Sequence, residues 1–112
     1  MTDRDAKYPD SCPFYVSASD AAAEARKKGQ QDPSRPALFL RAAILYAISA
    51  EGAPEHLPKW RVRVWTAAIT VARDGGFRSF AATLAKKHLT KVPLEALAQR
   101  EWLKMVLAEG GS

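Results

Sequence analysis

The amino-acid sequence predicts an all-α fold, a small single-domain bundle of about five short helices with an extended N-terminal arm. Three observations lead to this prediction. Apolar side chains recur with the 3.6-residue period of a helix along most of the chain. Prolines and glycines separate these amphipathic segments at short intervals. The length of 112 residues and the apolar fraction of 47% are typical of one globular core.

The predicted arm comprises residues 1–16, and the helical domain comprises residues 17–110. Pro9 and Pro13 favour extended backbone in the residues that precede them. Three aromatic side chains in the same stretch indicate that the arm lies against the domain.

The first helix begins at a capping serine, Ser17 or Ser19, and ends before Gly29. Pro36 begins the second helix, which Gly52 closes. Apolar side chains point from this second helix in almost every direction. We therefore expect it to be central and buried on most sides.

The third helix follows Pro58. The string WRVRVW alternates as a strand does, but from Trp60 to Asp74 most of the polar residues fall in one stripe of helical period, so a helix explains the longer segment. Gly75 and Gly76 end this helix, because glycine readily adopts the left-handed conformation that a C-cap requires.

An amphipathic fourth helix is predicted for residues 77–90, with His88 on its apolar side. Pro93 fits the start of a last helix. The side chains that the same period predicts to point inward from it are Leu94, Ala98, Trp102, Met105 and Val106.

The net charge of +5 is concentrated in one third of the chain. Residues 1–35 hold six cations and six anions, whereas residues 58–91 hold eight cations and one anion. A field of this sign favours an acidic partner, whether nucleic acid, an acidic protein surface or an anionic membrane. The basic helices lack the large aromatic-aliphatic face of interfacial helices, so we expect no membrane binding.

Protein–protein interaction is the predicted function, in a non-enzymatic helical binding or regulatory protein whose partner is another protein or a second copy of the chain. Trp60 and Arg61 are the candidate partner-binding residues, because tryptophan and arginine are enriched at interface hot spots. In the alternative interpretation, Trp60 only covers the edge of the bundle while Trp65 and Trp102 fill the core.

Nucleic-acid binding is the alternative function. If the third and fourth helices pack side by side, six cations line one face and contact phosphates without reading a base sequence. These cations are Arg63, Arg73, Arg78, Lys86, Lys87 and Lys91. A helix-turn-helix is disfavoured, because the last helix begins with the apolar and acidic residues 94–97 rather than with base-reading side chains.

Enzymatic activity is not expected, since the sequence contains none of the nucleophile, phosphate-loop or metal motifs. The single cysteine, Cys12, excludes an internal disulfide and a CxxC metal knuckle. We accordingly predict no catalytic residue, no metal and no cofactor. The remaining alternative is a small enzyme or ligand-binding bundle that assembles Arg41, His56 and His88.

A cytoplasmic location is expected. The N-terminal residues contain no apolar stretch of the length that a signal peptide requires. The longest apolar run, residues 42–48, is much shorter than a bilayer-spanning helix.

Replacing Lys86 and Lys87 with glutamate should leave the helix content intact and cause no large loss in the thermal midpoint, because the pattern places both side chains on the solvent side of the fourth helix. Circular dichroism during thermal unfolding measures both quantities. A large drop in the midpoint would show that the predicted buried face of this helix is wrong.

Overall fold

The computed structural model describes residues 12–53 and 58–111. Across these two ranges it contains five α-helices and no strand, which confirms the predicted all-α fold. The helices are α1 (Pro13–Lys27), α2 (Ser34–Glu51), α3 (Pro58–Asp74), α4 (Arg78–Leu89) and α5 (Leu97–Gly111). None of these helices is long and apolar enough to cross a lipid bilayer.

The main packing contacts join helices that are consecutive in the chain: α1 to α2, α2 to α3, α3 to α4, and α4 to α5. The α1–α2 pair is antiparallel, because Cys12 lies beside Ser49 and Arg26 lies beside Phe39. The Cα atoms extend over 45 × 32 × 17 Å. The molecule is therefore a flat slab in which α3 occupies the middle position.

The first helix begins at Pro13, four residues before the predicted boundary, so residues 13–16 of the predicted arm are helical. Proline is tolerated at this first position, where its missing N–H would have no partner in the helix. Tyr15 packs edge-on against Tyr46 with ring centroids 5.4 Å apart. The hydroxyl groups of Ser19 and Tyr46 are hydrogen-bonded at 2.9 Å. These contacts hold the first turns of α1 on α2; residues 1–11 lie outside the described ranges.

Small side chains allow α1 and α2 to approach closely, because alanine adds little bulk between two helix backbones. The buried alanines of this seam are Ala18, Ala21, Ala22, Ala25, Ala42, Ala43 and Ala50. Larger side chains fill the space around α3. The largest buried ones are Trp65, Phe39, Ile69, Leu103, His88, Val64 and Val106. The slab thus changes from an alanine-packed edge to a centre packed by bulky residues.

The second helix is less enclosed than the sequence predicts. Phe39 and Tyr46 are buried on its inner side, but Ile44 and Ile48 are 44% and 42% exposed. These two side chains are four residues apart and therefore lie on one face. We call Ile44 and Ile48 the aliphatic stripe of α2.

The turn between α3 and α4 forms as predicted. Gly76 has a φ of +85°. The N–H of Gly76 bonds to the carbonyl of Arg73, and the N–H of Phe77 bonds to the carbonyl of Ala72, each at 2.9 Å. This pair of bonds is a Schellman motif, which satisfies carbonyls at the helix end and reverses the chain.

The fifth helix differs from the prediction in both its start and its buried face. It begins at Leu97 rather than at Pro93, and Leu94 is 75% exposed. Leu103 and Val106 point into the core, whereas Met105 is exposed. Relative to the prediction, α5 is rotated about its axis. Hydrogen bonds to α3 explain this rotation, which cannot be predicted from the hydrophobic period of the sequence. Hydrogen bonds join Gln99 to Thr66 and Glu109 to Arg73, and these bonds fix which side of α5 faces α3.

Replacing Gly75 with alanine should destabilise the fold, because the new Cβ would lie 2.7 Å from Cβ of Phe39, an atom that cannot move without its backbone. We expect a loss of about 1–3 kcal/mol, the usual cost of overpacking. Chemical denaturation measures this change. The matched control is Gly29→Ala, since a Cβ at Gly29 meets nothing within 4 Å. Equal stability of the two variants would contradict the close approach of α2 to this turn.

Candidate functional site

Five of the six cations that the sequence predicts on one face fall into two groups in the structure. Because α3 and α4 are joined by a tight turn and run antiparallel, Arg73 and Arg78 lie near the turn. Lys86, Lys87 and Lys91 lie at the opposite end of the hairpin, beside the start of α3. The structure therefore does not bring all six cations together.

Arg73 is engaged in an ion pair. Its guanidinium donates to both carboxylate oxygens of Glu109, at 2.8 and 3.2 Å, and both side chains are about two-thirds buried. Such a bidentate pair is geometrically specific and largely neutralises the cation. Arg63 rests over the ring of Trp60, with its guanidinium carbon 5.3 Å from the ring centroid. Of these three arginines, only Arg78 is an exposed cation with no ion pair or ring contact among the described residues.

The remaining three cations surround one groove, which we call the lysine groove. Its volume is about 440 Å³. The residues that line it are Glu51, Trp65, Lys86, Lys87, Thr90 and Lys91. All three lysines are exposed, as the sequence predicts for Lys86 and Lys87. The ammonium of Lys87 lies 3.6 Å from a carboxylate oxygen of Glu51, and both side chains are more than half exposed, so this pair contributes little to stability.

The predicted partner-binding residues Trp60 and Arg61 are each partly buried at the start of α3. Arg61 donates from Nη2 to the backbone carbonyl of Ala53 at 3.0 Å, which connects α3 to the end of α2. This hydrogen bond ties the Arg61 side chain to the fold, and the role of Trp60 and Arg61 in partner binding stays a prediction. Trp65 is 1% exposed and belongs to the core, as the alternative interpretation of the tryptophans expects, whereas Trp102 is only partly buried.

His88 is 1% exposed and is packed against Trp65, which lines the lysine groove. Its ring stacks on Trp65, with centroids 5.8 Å apart and planes inclined by 17°. Nε2 of His88 lies 3.5 Å from the amide nitrogen of Gln99. Burial lowers the pKa of His88 to about 4, and the positive charges of Lys91 and Arg61 act in the same direction. The histidine is therefore neutral at pH 7.

Three buried nitrogens around this histidine have no hydrogen-bond partner among the described residues: Nε of Arg61, Nε1 of Trp65 and Nδ1 of His88. We call these three residues the donor cluster. Sequence analysis places His88 on the apolar side of its helix, which the structure confirms. The sequence gives no sign of the donor cluster, because the lack of a partner depends on how the side chains of α3 and α4 pack.

The scattered enzyme site is not assembled in the described part of the chain. Arg41 lines a separate groove between α1 and α2, together with Asp20 and Glu24. His88 is on the other side of the core, and His56 lies outside the described residues. The described residues contain no group of three metal-ligating side chains. Comparison of the chain with protein-family models, with curated proteins and with solved structures finds no match.

Stability should rise with pH between about 4 and 6.5, because the unfolded chain binds a proton at histidine in this range and the folded chain does not. The lowered pKa of His88 corresponds to at most about 3 kcal/mol over the whole range. Denaturation midpoints at stepwise pH values measure it, and His88→Gln should flatten the curve. A wild-type stability that is constant across this range would contradict the buried neutral histidine.

The carboxyl of Asp32 does not interfere with that measurement. Hydrogen bonds from the hydroxyl and the N–H of Ser34 hold the pKa of Asp32 below its ordinary value of 3.8. Its contribution to stability is therefore lost only at lower pH than the range in which His88 acts.

Proposed function

We propose that this chain is a non-enzymatic docking protein of the cytoplasm that binds an acidic, amphipathic segment of a partner protein. The observation that carries the proposal is the continuity between the aliphatic stripe of α2 and the lysine groove. Glu51 lies one helical turn after Ile48 on the exposed face of α2, and its carboxylate reaches Lys87 of α4. Apolar and cationic groups are thus adjacent on one surface.

The aliphatic stripe favours a protein partner over nucleic acid. Ile44 and Ile48 offer branched apolar surface, which a helix or an extended peptide covers with its own apolar side chains. A phosphodiester backbone has no apolar side chain that could cover Ile44 and Ile48. The carboxylate of Glu51 in the groove also repels a continuous phosphate chain, whereas a peptide accommodates it with a neutral or basic side chain.

The lysine groove specifies the charge of the partner. Three lysines face one glutamate in the groove, so the site retains a positive charge that attracts carboxylates. Lysine stems also cover apolar surface while their ammonium groups stay in water. A segment that alternates apolar and acidic faces therefore complements both halves of the surface.

The test measures binding of a labelled synthetic helix of about 18 residues that presents leucine on one face and glutamate on the others. Fluorescence anisotropy is recorded at about 50 and about 200 mM salt, in parallel with a labelled DNA duplex and a single-stranded RNA. We expect the leucine–glutamate peptide to bind and a peptide with serine in place of leucine to bind at least about tenfold more weakly, since apolar burial is lost.

Two double variants locate the interface on the protein. Ile44→Ser/Ile48→Ser removes the aliphatic stripe, and Lys86→Gln/Lys87→Gln removes two groove cations. Both double variants should bind the peptide more weakly than the wild type does. The matched charge control is Lys27→Gln/Lys104→Gln, which changes two exposed lysines elsewhere and should bind as the wild type does. Thermal midpoints close to that of the wild type verify that all three variants fold, since exposed substitutions change stability little.

Any of four results would overturn the proposal. One is a duplex or RNA that binds more tightly than the peptide and weakens steeply with salt, which would make nucleic acid the partner. The second is peptide binding that the isoleucine substitutions do not weaken, and the third is no peptide binding at low salt. The fourth is a dimer in sedimentation that Ile48→Ser dissociates, because a second copy would then occupy the stripe.

A further inference from the structure

The outer side of α5 carries the most exposed large apolar side chains of the described residues. Leu97, the first residue of the helix, is 68% exposed, and Leu94 lies in the turn just before it. Met105 adds exposed apolar surface two turns further along. Scattered apolar side chains are normal on a protein surface, but several along one helix mark an interaction surface.

Four exposed residues recur along this side of α5 at intervals of four, three and four. They are Leu97, Glu101, Lys104 and Ala108, and we call them the outer row of α5. These intervals place the four side chains on one face of the helix, with the spacing of the a and d positions of a coiled coil. Leu103 and Val106 are buried on the opposite side, against the rest of the fold. The outer row is therefore available to a second helix.

The charges of the outer row complement each other in an antiparallel pair of α5 helices. When a two-fold axis passes between residues 102 and 103, Glu101 lies opposite Lys104 of the second copy, and Lys104 lies opposite its Glu101. A parallel pair places each of these residues against its own copy, and like charges then repel. The row thus favours the antiparallel arrangement.

The sizes of the side chains are complementary in the same arrangement. Leu97 lies opposite Ala108 of the second copy, so a large side chain meets a small one at both ends of the charged centre. The turn that carries Leu94 lies beside the end of the second α5, where Gly111 has no side chain. Close approach of the two helices therefore buries the leucines, which lowers the free energy of association.

The charged pair contributes mainly to orientation. Within one copy, Nζ of Lys104 already lies 3.3 Å from a carboxylate oxygen of Glu101, and both side chains are more than half exposed. Exposed ion pairs contribute little to stability, so exchanging this partner for one on the second copy costs little. The leucines supply the affinity, whereas the charges determine how the two helices are aligned.

We propose that the outer row of α5 is a homodimer interface, in which it packs antiparallel against the same row of a second copy. The main packing partner of α5 is α4, so α5 is an end helix of the slab and two slabs join through their ends. One helix of 15 residues from each copy forms a small interface, so association is weak and reversible. The interface contains no residue of the aliphatic stripe or of the lysine groove. The dimer therefore presents two docking surfaces and favours a bivalent partner.

Sedimentation equilibrium of the full chain, at about 5 to about 500 µM protein, tests the interface. We expect a reversible monomer–dimer equilibrium. Leu97→Glu places a carboxylate in the apolar contact with Ala108 and should weaken dimerisation by at least about tenfold. The matched control is Val16→Glu, which changes an exposed apolar residue of α1 and should dimerise as the wild type does. Thermal midpoints near that of the wild type verify that both variants fold.

Charge reversal tests the antiparallel alignment. Glu101→Lys and Lys104→Glu each set like charges against each other across the interface, so each variant alone should dimerise at least about tenfold more weakly than the wild type. An equal mixture of the two variants should dimerise again, because each cation then faces a carboxylate of the other chain. Neither chain of this mixture retains the pair within its own helix, so the recovery reports a contact between chains. The double variant Glu101→Lys/Lys104→Glu should dimerise as the wild type does.

Three results would contradict the α5 interface. They are a monomer at every concentration, a dimer that Leu97→Glu does not weaken, and a mixture of the two charge variants that stays monomeric. A dimer that Ile44→Ser/Ile48→Ser dissociates and Leu97→Glu does not would place the interface on α2. That outcome would contradict the docking function as well.

Discussion

The stack of Trp65 on His88 is the contact on which the rest of the structure depends. It joins α3 to α4 at the depth of the core, and its outer side is the floor of the lysine groove. Because the indole of Trp65 is almost entirely covered, its position determines both how α3 and α4 pack and where the lysine side chains of the groove lie. Core and surface chemistry are therefore not independent in this protein.

Much of the fold follows from local signals in the sequence. Pro58, Gly75 and Gly76 mark helix ends by fixed backbone requirements, so the third helix and its Schellman turn were predictable. The start of α1 was not, because its first turn depends on Tyr46 from another helix. The inward face of α5 was not predictable either. Two polar contacts with α3 orient that helix, and a hydrophobic period carries no information about them.

The candidate site was predictable only in part. A sequence shows that residues 58–91 are rich in cations, but not which carboxylates lie beside them. Glu109 engages Arg73 across two helices, whereas Lys86 and Lys91 have no such partner among the described residues. Part of the basic charge also has a structural role. Lys86 and Lys87 are in the last turn of α4, where positive charge opposes the partial negative charge of the helix end.

The serial packing of the helices has a consequence for how the molecule loosens. Each helix relies mainly on its neighbours in the chain, so the terminal helices have one principal packing partner and the inner ones have two. The backbones of α3 and α4 approach each other least extensively, so opening should part these two helices before it separates α1 from α2. The lysine groove is built from the inner three helices. A fluctuation that parts α3 from α4 therefore also separates the walls of the groove, so the shape of the surface proposed for docking depends on the most sparsely packed pair of consecutive helices.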